Sequence, residues 1–84
     1  MGFNYEISDA LKVGAAPIAQ GHIRSGLQKA PLEIVSQMIV AFAGSRWAFI
    51  EAVEVDAYTH DGVQSSTHFL SNGERFRVLL SAAA

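Results

Sequence analysis

Apolar and polar residues alternate through the C-terminal half of the chain in three segments that two turn signals separate. Asp61-Gly62 and Asn72-Gly73 are dipeptides that favour tight reversals between strands. The pattern therefore predicts a three-stranded antiparallel meander over residues 46–58, 63–70 and 74–81.

The first turn decides which residues of the middle strand face inward. A two-residue loop at Asp61-Gly62 would turn Phe69 outward against Glu54. A three-residue loop with Gly62 in the left-handed conformation instead pairs Val53 with Phe69 and keeps apolar residues together. We therefore expect the three-residue loop.

The second turn, interpreted as a two-residue Asn72-Gly73 loop, pairs Phe69 with Phe76. The two turns then agree on one inner face, which supports the register. The predicted inner residues are Val53, Val55, Phe69, Phe76, Val78 and Leu80.

Residues 31–43 show the 3.6-residue apolar period of a helix. Pro31 suits its first turn, and Gly44 suits a left-handed C-terminal cap. The apolar arc is about twice the roughly 100° that one sheet face covers. We therefore expect that Leu32, Ile39 or Val40, on the flank of the helix away from the sheet, contacts another chain or is covered by residues 8–30.

Alternation over Phe3–Ile7 predicts a short N-terminal strand with its odd residues inward. Beyond it the pattern is weak. Ser8 or Asp9 could cap a short helix over Ala10–Val13, and Ile18–Arg24 is a candidate second strand interrupted by glycine. The predicted fold is thus one α+β domain over residues 1–84, with three to five antiparallel strands packed on one main helix.

Composition changes this picture in one respect. The chain has 84 residues, of which 50% are hydrophobic and only 17% are charged, whereas soluble domains average about 25% charged residues. A domain this small has little interior, so the composition indicates a second apolar surface buried against another chain.

Charge and motifs exclude several classes of partner. The net charge is −2 and the basic residues are scattered, which argues against nucleic-acid binding. The longest apolar run, Met38–Ala43, is too short to span a bilayer, and no signal-peptide pattern begins the sequence. We expect a cytoplasmic protein with no membrane partner. Cysteine is absent, so disulfides and thiolate metal sites are excluded.

The predicted register places Glu54, His68 and Arg77 in one row across the outer face of the sheet. Such a row could sense protons or bind a substrate. A flat open sheet rarely holds catalytic groups, so an ordinary polar ladder is the favoured interpretation.

Other candidate residues carry weaker signals. The turn chemistry accounts for Asp61 beside His60, and the histidines lack metal-ligand spacing. Trp47 could anchor a partner, but its position after the helix favours packing in the core. Nucleophile-elbow, dinucleotide and phosphate-loop motifs are absent, so we predict no catalytic, cofactor or metal residues.

A helix followed by a strand led by Trp47 and a hairpin with Asp61-Gly62 resembles part of the flavin-storing dodecins. The Asn72-Gly73 hairpin interrupts what that family would make one long strand, and residues 8–30 have no place in its fold. No flavin site is therefore inferred.

The expected function is a non-enzymatic protein-binding module: an inhibitor, an adaptor or an assembly subunit that can self-associate. By analogy of size alone, anti-CRISPR-like inhibitors of phages and mobile elements belong to this class. The alternative is a small-ligand-binding homo-oligomer with sites at subunit interfaces around Trp47 or Tyr58, and an enzyme would need shared active sites. The predicted interaction surface comprises Leu32, Ile39, Val40, Glu54, Asp56, Tyr58, His68, Arg75 and Arg77.

Overall fold

A computed structural model describes residues 2–24, 30–44, 46–59 and 62–83 of the chain. In chain order the elements are β1 (Gly2–Asp9), β2 (Ala19–Arg24), α1 (Pro31–Phe42), β3 (Ile50–Thr59), β4 (Gly62–Leu70) and β5 (Arg75–Ala83). The predicted α+β class is confirmed.

The strands form one antiparallel sheet in the order β2-β1-β5-β4-β3. The N-terminal strand extends the meander by pairing with β5, as its alternation predicts. Ile7 is fully buried, and Phe3 and Tyr5 are half-buried on the same face. The alternation is informative here because only one face of the sheet is covered.

Helix α1 packs on that face, mainly against β1 and β5. The buried apolar core consists of Ile7, Ile23, Val35, Ile39, Ala48, Leu70, Phe76, Val78 and Leu80. Strand β3 lies at the sheet edge, farther from the helix, and its inward-facing Val53 stays 41% exposed. The core is therefore centred on β1, β5 and β4.

The turn between β4 and β5 is a three-residue loop. The Leu70 N–H donates to the carbonyl of Glu74 at 2.9 Å, and the Gly73 N–H donates back to the carbonyl of Leu70 at 3.1 Å. A two-residue Asn-Gly loop needs positive φ at both central residues. Only Gly73 has it, at +90°, so the extra residue Ser71 joins the loop.

This loop shifts β4 by one residue from the predicted register. His68 stands opposite Phe76 on one side and Val53 on the other, so the predicted pairing of Val53 with Phe69 is wrong. Phe69 lies on the outer face between Ala52 and Arg75. The predicted inner faces of β3 and β5 hold, and only the middle strand is inverted.

The hairpin between β3 and β4 also departs from the prediction. Thr59 pairs with Gly62, which therefore belongs to β4 and not to the loop. The other two residues of the predicted loop, His60 and Asp61, lie outside the described residues. Gly62 has φ +132°, a positive value but not the left-handed helical one we expected.

Strand β3 is an irregular edge. Its pairing with β4 slips between Ile50 and Ala52 and again on both sides of Ala57. Glu51 and Asp56 are the extra residues at the first two slips. Bulges of this kind and carboxylates are devices that discourage pairing with other strands.

The helix begins at Pro31, as predicted, and ends at Phe42, one residue early. Gly44 is not a left-handed cap, because positive φ among the described glycines occurs only elsewhere. Its N–H instead donates to Glu74 Oε1 at 2.6 Å. A contact with the β4–β5 turn thus fixes the chain beyond the helix.

The predicted outer flank of the helix is partly wrong. Ile39 is fully buried beside Val35 in the sheet-facing core. Leu32 is half-buried and packs against that core. Val40 alone of the three is exposed, because helical spacing turns it away from the buried line.

The connection between β1 and β2 is a turn and not the short helix predicted over Ala10–Val13. Asp9 nucleates it, since its Oδ1 accepts from the Leu11 N–H at 2.9 Å. The Ile18 N–H then donates to the carbonyl of Ile7 at 2.7 Å, and β2 begins directly afterwards. The candidate second strand is therefore confirmed within one residue.

The glycines with positive φ give the first testable prediction. We expect Gly73→Val and Gly62→Val each to lower the free energy of unfolding by about 1–2 kcal/mol, because side chains with a Cβ rarely adopt these conformations. Ser81→Val, at an exposed position of β5, is the control. Denaturant unfolding measures the difference, and midpoints equal to the control would contradict the assigned turn geometry.

Candidate functional site

The shift of β4 creates a buried pair that the sequence did not reveal. His68 is fully buried, and its Nε2 lies 2.9 Å from the Ser36 Oγ of α1. The same hydroxyl donates to the carbonyl of Leu32 at 2.8 Å. Because the serine proton is used there, His68 Nε2 carries a hydrogen and donates to Ser36.

A serine beside a histidine suggests nucleophilic catalysis, but this geometry does not support it. A catalytic serine donates its proton to the imidazole, whereas Ser36 accepts from His68 and donates to the backbone. The imidazole is also closed off from solvent. The pair joins the helix to the sheet.

Two buried polar atoms beside this hydrogen bond have no partner of their own among the described residues. His68 Nδ1 and Ser66 Oγ are buried without a hydrogen-bond partner among them. Burial lowers the pKa of His68 below its ordinary value of 6.5, because the charged imidazolium would lose its hydration. The imidazole is therefore held in its neutral form near pH 7.

The predicted outer row contains a different residue at its centre. Glu54 stands opposite Thr67, and Thr67 stands opposite Arg77. The row therefore has no histidine at its centre, because His68 points to the core and Thr67, which takes its place, does not titrate. The row also includes Asp56, whose Oδ2 lies 3.5 Å from the Thr67 hydroxyl. It is a polar ladder on an exposed face.

Trp47 is exposed, contrary to the core position that we predicted. Its side chain is 77% exposed, and the guanidinium carbon of Arg46 lies 4.9 Å from the ring centroid. Phe49 is 59% exposed, while Ala48 between them is buried. The segment begins before β3, so the strand parity that placed Trp47 inward does not apply to it.

The β1–β2 connection and the segment between α1 and β3 meet at this end of the sheet, where the β4–β5 turn contacts both. The Ala10 N–H of the β1–β2 connection donates to the carbonyl of Arg75 at 2.9 Å. Ser71 exchanges two bonds with Phe49, one of 2.8 Å from its own N–H and one of 3.0 Å to its hydroxyl. With the bond from Gly44 to Glu74, these contacts make one continuous end of the molecule.

Large apolar side chains are concentrated at this end, which we call the turn-end surface. Its exposed apolar members are Leu11, Val13, Ile18, Val40, Phe42, Trp47 and Phe49. They come from the β1–β2 connection, the last turn of α1 and the segment leading to β3. Single exposed apolar residues are ordinary, whereas large exposed apolar patches are typical of interaction surfaces.

The predicted interaction surface overlaps this end only in part. Val40 belongs to the turn-end surface, and Arg75 lies at its border with its guanidinium carbon 5.0 Å from the Phe69 ring centroid. Tyr58 is exposed farther along the edge strand. Apolar residues in a turn, such as Leu11, were the sequence signal that could have indicated this surface.

The opposite end of the sheet holds a cavity of about 340 Å³ at the start of the helix. Its lining is mostly apolar, with Glu33 as the charged member among the described residues. This volume is near the lower limit of the roughly 300–1,000 Å³ typical of small-molecule sites. Neither Trp47 nor Tyr58 lines it.

Searches for other kinds of site found none within the described residues. They contain no group of three or more histidine, aspartate or glutamate side chains placed to hold a metal ion. No helix among them is long and apolar enough to cross a membrane. Comparisons with models of protein families, with curated proteins and with solved structures found no match to this chain.

The buried pair gives a prediction on pH dependence. The folded-state pKa of His68 lies below 6.5, so the unfolded chain binds this proton first as the pH falls. We therefore expect the full stability contribution above pH 6.5 and a progressive loss below it. Urea unfolding between pH 8 and pH 5 measures this, and His68→Leu should flatten the dependence.

A further variant tests the hydrogen bond of the pair. Ser36→Ala should cost about 1–3 kcal/mol at pH 7.5, because it leaves the buried Nε2–H without an acceptor. Persistence of the pH dependence in His68→Leu would contradict the assignment.

Proposed function

We propose that this chain is a non-enzymatic protein-binding module that binds another protein chain through the turn-end surface. The observation that carries the proposal is the concentration of exposed apolar side chains on the β1–β2 connection, the last turn of α1 and the segment leading to β3, which contacts with the β4–β5 turn bring to one end. Aromatic residues with a neighbouring arginine, such as Trp47 and Phe49 with Arg46, are the residue types enriched in interface centres.

The total surface of the chain supports a missing partner. Its accessible area is 5519 Å² for a mass of 9.0 kDa. Folded monomers of this mass expose about 4,900 Å². The excess agrees with the scarcity of charge, since both indicate surface that association would cover.

The interior supports a binding role over a catalytic one. In the one serine–histidine pair found among the described residues, the histidine is buried and the protons of both side chains are committed to hydrogen bonds within the fold. The polar row on the open face contains threonine where a titrating residue was expected. The turn-end surface offers contact area and no reactive group aimed at a substrate.

The proposal predicts that bound proteins depend on this end of the molecule. A tagged chain is purified from its native cells, and the retained proteins, including untagged copies of itself, are quantified by mass spectrometry. The double variant Trp47→Ser with Phe49→Ser should lose them, while its unfolding free energy stays within about 0.5 kcal/mol of wild type.

The matched control is Tyr58→Ser with Leu79→Ser, which removes two exposed apolar residues outside the turn-end surface. It should retain the same proteins as wild type. Equal retention by both double variants would refute the proposed surface, and loss in the control alone would move the binding site to the sheet.

A second candidate function, binding of a small apolar ligand, is favoured by the cavity at the helix start. Val63→Trp would fill that cavity from β4, because Val63 lines it and lies outside the buried core. Native mass spectrometry of the purified chain distinguishes the two functions, because a ligand adds a defined small mass that this variant should abolish, whereas a protein partner adds a polypeptide.

A further inference from the structure

We infer that the partner at the turn-end surface is a second copy of this chain, bound in a two-fold symmetric dimer. This inference rests on the proposed protein-binding function and specifies its partner. It depends on the area of the surface, its balance of charge and the character of the β3 edge.

The area matches what a stable dimer needs. From their exposed fractions, the seven apolar residues of the turn-end surface present on the order of 800 Å², and standard interfaces bury about 800 Å² per partner. Trp47 is the most exposed aromatic residue in this group, and Val13, at the tip of the β1–β2 connection, is fully exposed. Self-contact would cover both without any other protein.

The charge of this end permits a like copy to approach. The charged residues at the turn end are Asp9, Lys12, Arg46, Glu51, Glu74 and Arg75, which are three anions and three cations. Their formal charges sum to zero, although the whole chain carries −2. A surface with charge of one sign would repel its own copy, whereas this mixed border can place cations of one copy beside anions of the other.

The β3 edge argues against the alternative self-contact by addition of a second copy at that strand. The edge strand β3 carries Glu51, Glu54 and Asp56 and no cation among its residues. An antiparallel pair of two such strands would bring these carboxylates close to their counterparts, which is unfavourable. The bulges of β3 also disturb the ladder that a second copy would have to continue.

A two-fold arrangement follows from the use of one patch by both copies. When the same surface lies on both sides of the contact, the assembly closes as a dimer and leaves no patch for a third copy. The sheet edges and the cavity at the helix start then remain accessible. Other molecules could therefore still bind the dimer at the sheet edges or in the cavity.

The test combines sedimentation velocity with the fluorescence of Trp47, which is the single tryptophan of the chain. Over a concentration series the wild-type mass should rise to twice 9.0 kDa and no further. Over the same concentrations the tryptophan emission should move to shorter wavelength and its quenching by acrylamide should fall. Both changes report the burial of an indole that is exposed in the monomer.

Two variants locate the contact. Phe49→Asp should raise the dimer dissociation constant by about 30-fold or more, because it places a charge at a central apolar position. Leu79→Asp, on the outer face of β5, should leave it within threefold. Circular dichroism melts of both variants confirm that each is folded before the comparison is made.

The absence of native cysteine allows a second, independent measurement. A position near a two-fold axis meets itself in the dimer, so a single cysteine there forms a disulfide between copies. Among Val13→Cys, Ile18→Cys and Phe49→Cys, at least one should cross-link rapidly, while Leu79→Cys should not.

Each outcome separates the inference from the function on which it rests. A chain that stays monomeric at all concentrations, yet retains a different protein through Trp47 and Phe49, overturns the dimer and leaves the protein-binding function standing. A monomer whose turn-end variants retain every bound protein overturns both. A dimer broken by Leu79→Asp and not by Phe49→Asp, or growth beyond a dimer, overturns the proposed two-fold contact.

Discussion

The three-residue turn between β4 and β5 is the constraint on which most of this structure depends. Gly73 supplies the one positive φ that the turn needs, and the reciprocal bonds between Leu70 and the turn residues fix its length. That length decides which side of β4 faces the helix. The same few residues also accept or donate the hydrogen bonds that hold the chain after α1 and after β1.

The turn therefore determines the interior and one end of the molecule together. It places His68 under the helix, where a bond to Ser36 aligns α1 with β4. It also places Glu74 where one carboxylate oxygen accepts from both Gly44 and the Asn72 side chain. A change of loop length would break the pair of His68 with Ser36 and disconnect the α1–β3 segment at the same time.

The sequence was sufficient for the five strands and the main helix and for the faces of the outer strands of the meander, but not for the connection between β1 and β2. Alternation over Phe3–Ile7, the helical period after Pro31 and the inward residues of β5 all reflect burial on one face, which is a strong signal. The prediction for the middle strand was wrong because the predicted length of each loop was wrong by one residue. The agreement between the two turns tests only whether β3 and β5 direct their apolar residues to the same side of the sheet. Because the two errors in loop length cancel for these strands, the agreement persists although β4 is inverted.

The candidate surface was harder to predict than the fold. Trp47 was predicted to face inward because the alternation of β3 was extended back to residue 47, although β3 begins only at Ile50. Ile39 was assigned to an outer flank because the apolar arc of the helix is wide, and hydrophobicity alone does not tell which part of the arc meets the sheet. The buried pair of Ser36 and His68 depends on a contact between distant segments that no local pattern encodes.

The irregular edge of β3 has a consequence for how this chain avoids fibrous aggregation. Half of its residues are hydrophobic and only 17% are charged, a composition that favours stacked cross-β assemblies. In-register stacking would superimpose Glu51, Glu54 and Asp56 of every copy at the spacing of a fibril ladder, roughly 4.8 Å. The repulsion would accumulate with each added chain. The acidic, bulged edge thus acts as a barrier to amyloid growth.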